Sequence, residues 1–213
     1  MESVLLQKLE RKSITKEELL QKVKRNFGKL PEVINGVASS KPAIRYGCAK
    51  VLMNLSEEHP EKLYPYMDFF TDLLSSKYRV LTWNAIAILA NLAKVDTDKK
   101  FDAIFDQYFS LLDDKYMVTV ASIVGHSSKI ALAKPYLIPR ITNELLRVES
   151  ISRSPHLTEE CKRVIAEKTI KSFSQFFDKI DNKKQVISFV SRQIGSPRKT
   201  LKKQAEAFLA EFG

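Results

Sequence analysis

Two stretches of this chain are near copies of one another, and that recurrence limits the fold more than any other feature. Ser39-Ser40-Lys41 opens a run that ends in Asn54-Leu55-Ser56. Ser75-Ser76-Lys77, 36 residues on, opens a run that ends in Asn91-Leu92-Ala93. Asp113-Asp114-Lys115 takes the same place 38 residues later. Each triplet follows an apolar pair: Val37-Ala38, Leu73-Leu74, Leu111-Leu112. A further pair, Leu145-Leu146, closes another helical pattern. The segments leading in also match, as in Leu63-Tyr64-Pro65-Tyr66-Met67 and Tyr136-Leu137-Ile138-Pro139-Arg140-Ile141. The unit is helix, tight turn, helix, loop, and a period in this range is the mark of stacked repeats.

The spacing of apolar residues fixes the element type. Leu63, Met67, Phe70 and Leu74 fall on one face of a helix, and Leu81, Ala85, Ile88, Leu89 and Leu92 on one face of the next. Val80, Trp83, Ala87 and Ala90 lie on an adjacent face, so the phase puts Trp83 among the core positions. A helix apolar over most of its girth must be covered on several sides. A lone hairpin cannot do that, whereas stacked hairpins cover one another.

The expected architecture is all-α: a right-handed superhelical solenoid of about five hairpins, read as one domain over 1–213. The pairs are 31–39 with 42–56, 62–75 with 78–94, 100–112 with 116–132, 135–148 with 158–178, and 183–194 with 197–212. Residues 1–30 form a helical cap. In it Thr15 and Glu18 make a capping box and Gly28 stops the helix. Ser196 and Pro197 are expected as N-cap and first residue of the last helix. The fourth turn is expanded over 149–157, a place where function is often lodged.

Six glycines and eight prolines are too few for the turns of an all-β chain. Net charge is +10 and unevenly spread. Residues 1–50 hold 11 Lys/Arg against 5 Asp/Glu and 151–213 hold 13 against 7, while 51–150 hold 11 against 13. Any anionic partner is therefore expected at the ends. Cys48 and Cys161 lie far apart inside helical patterns, which reads as buried, reduced thiols and a cytoplasmic setting. The first residues have no secretory h-region, and no apolar run reaches the ~20 residues of a membrane span.

These repeats resemble the HEAT and armadillo α-solenoids over roughly residues 30–213. Leu111-Leu112-Asp113-Asp114 matches the apolar pair and acidic turn of a HEAT unit. Ile44-Arg45 before Gly47-Cys48-Ala49 matches its second-helix start, and Pro65 and Pro139 match its first-helix proline. Lys50–Ser56 and Ala87–Ala93 are similar to an armadillo segment. There the resemblance implies that Asn54 and Asn91 bind the backbone of an extended peptide, although Lys50 and Ala87 stand where that family carries Trp. The Arg position of the second helix reads Arg45, Leu81, Thr119, Lys162, Lys202. Arg45, Lys162 and Lys202 are thus the candidates for binding an anion.

Nothing in the chain spells out a reaction. His59, His126 and His156 have no Cys, Asp or Glu at metal-ligand spacing, and no nucleotide or nucleophile motif occurs. No catalytic residue, metal or cofactor is expected. The leading expectation is a monomeric scaffold that takes a protein or peptide segment on its concave face. The alternative is a nucleic-acid binder, similar to HEAT-like alkylpurine DNA glycosylases. Trp83 with Asp113 or Asp114 would be the residues to examine there.

Overall fold

The repeated turn is built the same way each time. In the computed structural model, which describes residues 3–152 and 155–213, Ser39 Oγ accepts a hydrogen bond from the Lys41 N–H at 3.2 Å. Ser76 Oγ accepts from Tyr78 at 3.1 Å, Asp114 Oδ1 from Tyr116 at 2.8 Å, and Ser196 Oγ from Arg198 at 3.2 Å. A short polar side chain bonded two residues ahead turns the backbone. It leaves Lys41, Tyr78, Tyr116 and Arg198 extended, each as the N-cap of the helix that follows. In the fourth repeat Thr158 caps directly, accepting from the Cys161 N–H.

The identical triplets are therefore one residue out of step. The first serine of 39–41 makes the turn, but the second serine of 75–77 does. The last helix also starts later than the Ser-Pro signal suggests: it begins at Lys199, and Ser196 serves the turn rather than the cap.

The helices are α1 (Val4–Glu10), α2 (Lys16–Arg25), α3 (Leu30–Gly36), α4 (Pro42–Glu58), α5 (Pro60–Leu63), α6 (Met67–Asp72) and α7 (Arg79–Leu92). They continue with α8 (Lys100–Phe109), α9 (Met117–Ala133), α10 (Ile138–Leu146), α11 (Glu159–Ser174), α12 (Lys183–Ser191) and α13 (Lys199–Phe212). The helices gather into two compact units, Met1–Lys100 and Phe101–Gly213.

In the first unit α1, α2, α3 and α7 all pack on α4. Leu9 of α1 rests on Gly47, where a Cβ would meet its Cδ2 at 2.8 Å, so the close approach needs glycine. The capping box forms: Thr15 Oγ1 accepts from the Glu18 N–H at 3.0 Å, and the Glu18 carboxylate accepts from the Thr15 N–H at 2.8 Å. Gly28 does not stop α2. The helix ends at Arg25, and extended Asn26 breaks it, its side chain accepting from the Gly28 N–H at 2.9 Å. The expected helix 62–75 is split around a 3-10 turn at Tyr64–Tyr66, because Pro65 has no N–H to give. α7 is buried around most of its girth, including Leu81, Ala85, Ile88, Leu89 and Leu92.

In the second unit α9 packs on α11 and α11 on α13. The core of α8 is aromatic: Phe101, Phe105, Tyr108 and Phe109 are all buried, with ring centroids 4.6–5.3 Å apart. Carboxylates of α8 and the turn after it meet cations around α10. Asp102 lies 3.6 Å from buried Lys134 and accepts from Tyr136 Oη at 2.9 Å. Asp106 binds Arg140 at 2.7 Å, and Asp113 binds Arg147 at 2.9 Å. Among the described residues no helix is long and apolar enough to cross a membrane.

Candidate peptide-binding face

Counting from the N-caps puts the second helices in one register. Thirteen residues past Lys41, Tyr78, Tyr116, Thr158 and Arg198 stand Asn54, Asn91, Lys129, Lys171 and Glu211. The asparagine pair is thus continued by a lysine pair, which counting from the Ser-Ser-Lys triplets does not reveal. Two residues past the caps of α7 and α9 stand Val80 and Val118, 39% and 43% exposed.

In the first unit this register defines a strip on the paired helices α4 and α7. On α4 it presents exposed Lys50 and half-buried Tyr46, Met53 and Asn54. On α7 it presents Val80 with half-buried Trp83 and Asn84. Trp83 is therefore a surface-strip residue and not a core one. The helical phase misplaces it because α7 is apolar on its exposed side as well.

The two asparagines differ. Asn91 is 8% exposed, and its Nδ2 donates to Ser56 Oγ at 2.9 Å, a bond that ties α7 to α4. Asn54 is half-buried, and among the described residues no hydrogen bond holds its side chain. Asn84 is in the same state. The sequence signal for Asn84 is only its offset of six from the N-cap.

Arg45 is not placed to meet an anion. It is 5% exposed, and one guanidinium nitrogen donates to the carbonyls of Ser39 and Ser40 at 3.0 and 3.3 Å. The guanidinium carbon sits 3.7 Å from the centre of the Tyr78 ring and 4.7 Å from that of Tyr46. It clamps the turn and joins consecutive repeats. Four residues past the caps, the same place holds Arg45, Thr82, Val120, Lys162 and Lys202. The middle members are Thr82 and Val120, both buried, and not Leu81 and Thr119.

In the second unit Lys162 lines a cleft of about 340 Å³ with Glu149, Glu159, Arg163, Phe189 and Arg192. Lys162 lies 3.9 Å from Glu159, and exposed Lys202 lies 3.8 Å from Glu206. Arg192 grips Glu149 through two bonds of 2.9 and 2.6 Å, which fastens the start of the expanded turn. At the other end of that turn His156 stacks on Tyr116 at 4.7 Å. Residues 153 and 154 of the 149–157 insertion lie outside the described residues.

The second helices of this unit expose Val118, Gly125, Lys129 and Leu132 on α9, Glu160, Lys168 and Lys171 on α11, and Lys203 on α13. The acids of α11 are already engaged. Hydrogen bonds from Arg198 and then Arg163 hold the Glu160 carboxyl below its usual range. Burial raises the Glu167 carboxyl, but bonds from Thr200 and Arg198 outweigh it and leave it low.

Burial, then the charge of Glu32, pushes the Cys48 thiol up to about 12, which makes it inert. Cys161 is half-buried rather than buried. His59 packs edge-on against Phe27 at 5.3 Å. Among the described residues no three His, Cys, Asp or Glu side chains converge as a metal site would require.

No family model and no curated protein matches the chain. Solved structures do match. A designed armadillo repeat protein, YIII(Dq)4CqI, superposes with a TM-score of 0.64 at 18% identity, over 98% of this chain and 92% of that one. A computationally designed armadillo repeat protein for modular peptide recognition gives 0.62 at 17% identity, over 92% and 87%. A third, YIII(Dq.V1)4CPAF in complex with the peptide (KR)4, gives 0.63 at 16%, over 98% and 91%. At such identities the likeness speaks for the fold, and the fold is an all-α, armadillo/HEAT-like repeat solenoid.

Proposed function

We propose that this protein is a non-enzymatic scaffold that receives an extended protein segment on the exposed strips of its second helices. The observation that carries the reading is the strip on α4 and α7. Unbonded amides at Asn54 and Asn84 stand there beside Trp83, Val80 and Met53. An extended backbone needs amide partners for its own N–H and C=O groups, and an aromatic ring and apolar side chains give its side chains a place to rest. Two of the structural neighbours support the reading, since one is titled for peptide recognition and another holds a peptide.

Trp83 is the only tryptophan, so it reports on this strip directly. Peptides selected from a random display library against the whole chain are expected to shift its emission and to saturate it. Asn54→Ala and Asn84→Ala should each weaken such peptides several-fold without altering the melting temperature by more than a few degrees. A library that yields no binder, or binders that leave Trp83 and both variants unaffected, would overturn the proposal.

A further inference from the structure

The second unit offers the same register with different chemistry. Where the first unit holds Asn54 and Asn91, the second holds exposed Lys129 on α9, Lys171 on α11 and Glu211 on α13. Lys168 and Lys171 are exposed one turn apart on α11, and Lys203 is exposed on the adjoining α13. Among the described residues no carboxylate pairs with Lys168, Lys171 or Lys203. Of the acids on this face Glu160 is bound to Arg163 and Arg198 and Glu167 to Arg198 and Thr200, which leaves exposed Glu211 against Lys168, Lys171 and Lys203. The face is left with an excess of positive charge, set among the exposed apolar side chains Val118 and Leu132.

We infer that the second-helix face of α9, α11 and α13 binds an acidic protein segment, one in which Asp or Glu alternates with aliphatic side chains. The inference deepens the scaffold reading and rests on it. Charge complementarity names the partner: three uncompensated lysines attract carboxylates, and Val118 and Leu132 give aliphatic groups a surface to cover. A nucleic acid fits less well. No Phe, Tyr or Trp stands exposed on α9, α11 or α13 among the described residues, so bases find no ring to stack on.

The test uses the full chain and fluorescence anisotropy with three probes: a labelled peptide of repeating Glu-Val-Asp-Ser, its counterpart with lysine in the acid positions, and a duplex DNA. The acidic peptide is expected to bind, to weaken steeply as salt rises, and to bind at least about tenfold tighter than the lysine peptide. The triple variant K168E/K171E/K203E should lose about tenfold or more in affinity for it while keeping the parent circular dichroism. All three side chains are exposed and outside the core, so folding is not at stake. Equal affinity for both peptides, an unchanged variant, or DNA binding tighter than the acidic peptide would each overturn the inference. Library peptides that still perturb Trp83 in those cases would leave the scaffold reading standing, whereas a library without binders would remove both.

Discussion

The two units place equivalent residues on their second helices and give them different work. In the first, the position thirteen past the N-cap is asparagine twice; in the second, it is lysine twice and then glutamate. The first unit's strip is amide, aromatic and aliphatic, whereas the second unit's is lysine and aliphatic. Their interiors differ in the same sense. The first is filled around α7 by Leu, Ile and Ala, and the second around α8 by four aromatic side chains in edge-on and tilted contact. What they share is the turn made by a short polar side chain at Ser39 and Ser76 in the first and at Asp114 and Ser196 in the second. A repeat therefore needs its turn and its apolar positions to be kept, and leaves the exposed offsets free to vary.

The largest effect is expected in the aromatic core. Phe105→Ala removes a fully buried ring packed 4.6 Å from Phe109, and should cost about 3–5 kcal/mol. Denaturant unfolding followed by far-ultraviolet circular dichroism reads the whole chain, while Trp83 emission reads the first unit alone. The circular dichroism midpoint should fall by more than the Trp83 midpoint. Equal shifts would mean that the two units melt as one, and the distinction drawn between them would not extend to stability.

Arg45 comes next. Arg45→Ala removes two bonds to turn carbonyls and a cation stacked on two tyrosines, and should destabilise by about 2–3 kcal/mol. Arg45→Lys should recover little of this, because an ammonium cannot lie flat on Tyr78 while reaching Ser39 and Ser40. If Arg45 instead served an anion, the alanine variant would fold as the parent does and lose only binding.

Arg45 also shows where the sequence stops being informative. The repeat, the hairpins, the capping box at Thr15 and Glu18 and the buried girth of α7 are legible because they rest on periodicity and local bonding. The face a residue occupies depends on the helix start, and a signal one residue out of step moves it by about 100°. The repeated Ser-Ser-Lys is such a signal: it placed Leu81 and Thr119 where Thr82 and Val120 belong and hid the lysines that follow the asparagines. Trp83 was misread for another reason, since an apolar residue on an apolar helix gives no phase. That Asn91 is consumed by Ser56 while Asn54 is not depends on tertiary contact and leaves no mark in the sequence.

The asparagine pair turns that last point into a comparison within the first unit. Asn91→Ala breaks a buried bond between α4 and α7 and should cost about 1–2 kcal/mol. Ser56 keeps its own donation to the Met53 carbonyl at 2.7 Å, which limits the loss. Asn54→Ala should change stability by less than about 0.5 kcal/mol while weakening bound peptide. Chemical denaturation of both variants, beside Trp83 titrations, checks this. A reversal would exchange the roles of the two residues.

The smallest effect is in acid, and Glu32 differs in sign from the other shifted glutamates. Glu160 and Glu167 in the second unit hold their carboxyls below the ordinary glutamate range. Their contribution to stability is present above the unfolded value and is lost as pH falls through the lower folded values. In the first unit Glu58 behaves in the same way through its bond from Lys24. Glu32 does the opposite: burial, only partly offset by the charge of Lys29, raises its carboxyl, so the folded state holds that proton more tightly and gains as pH falls. Melting temperatures from neutral pH to about pH 3 should therefore fall less steeply for E160Q/E167Q than for the parent, with part of the loss already present at neutral pH. Glu32→Gln should steepen the same limb, because the compensating group is gone. If E160Q/E167Q followed the parent curve at every pH, the Arg198 cluster would be surface pairing without a bond worth keeping, and the Lys168, Lys171 and Lys203 face would have free carboxylates beside it after all.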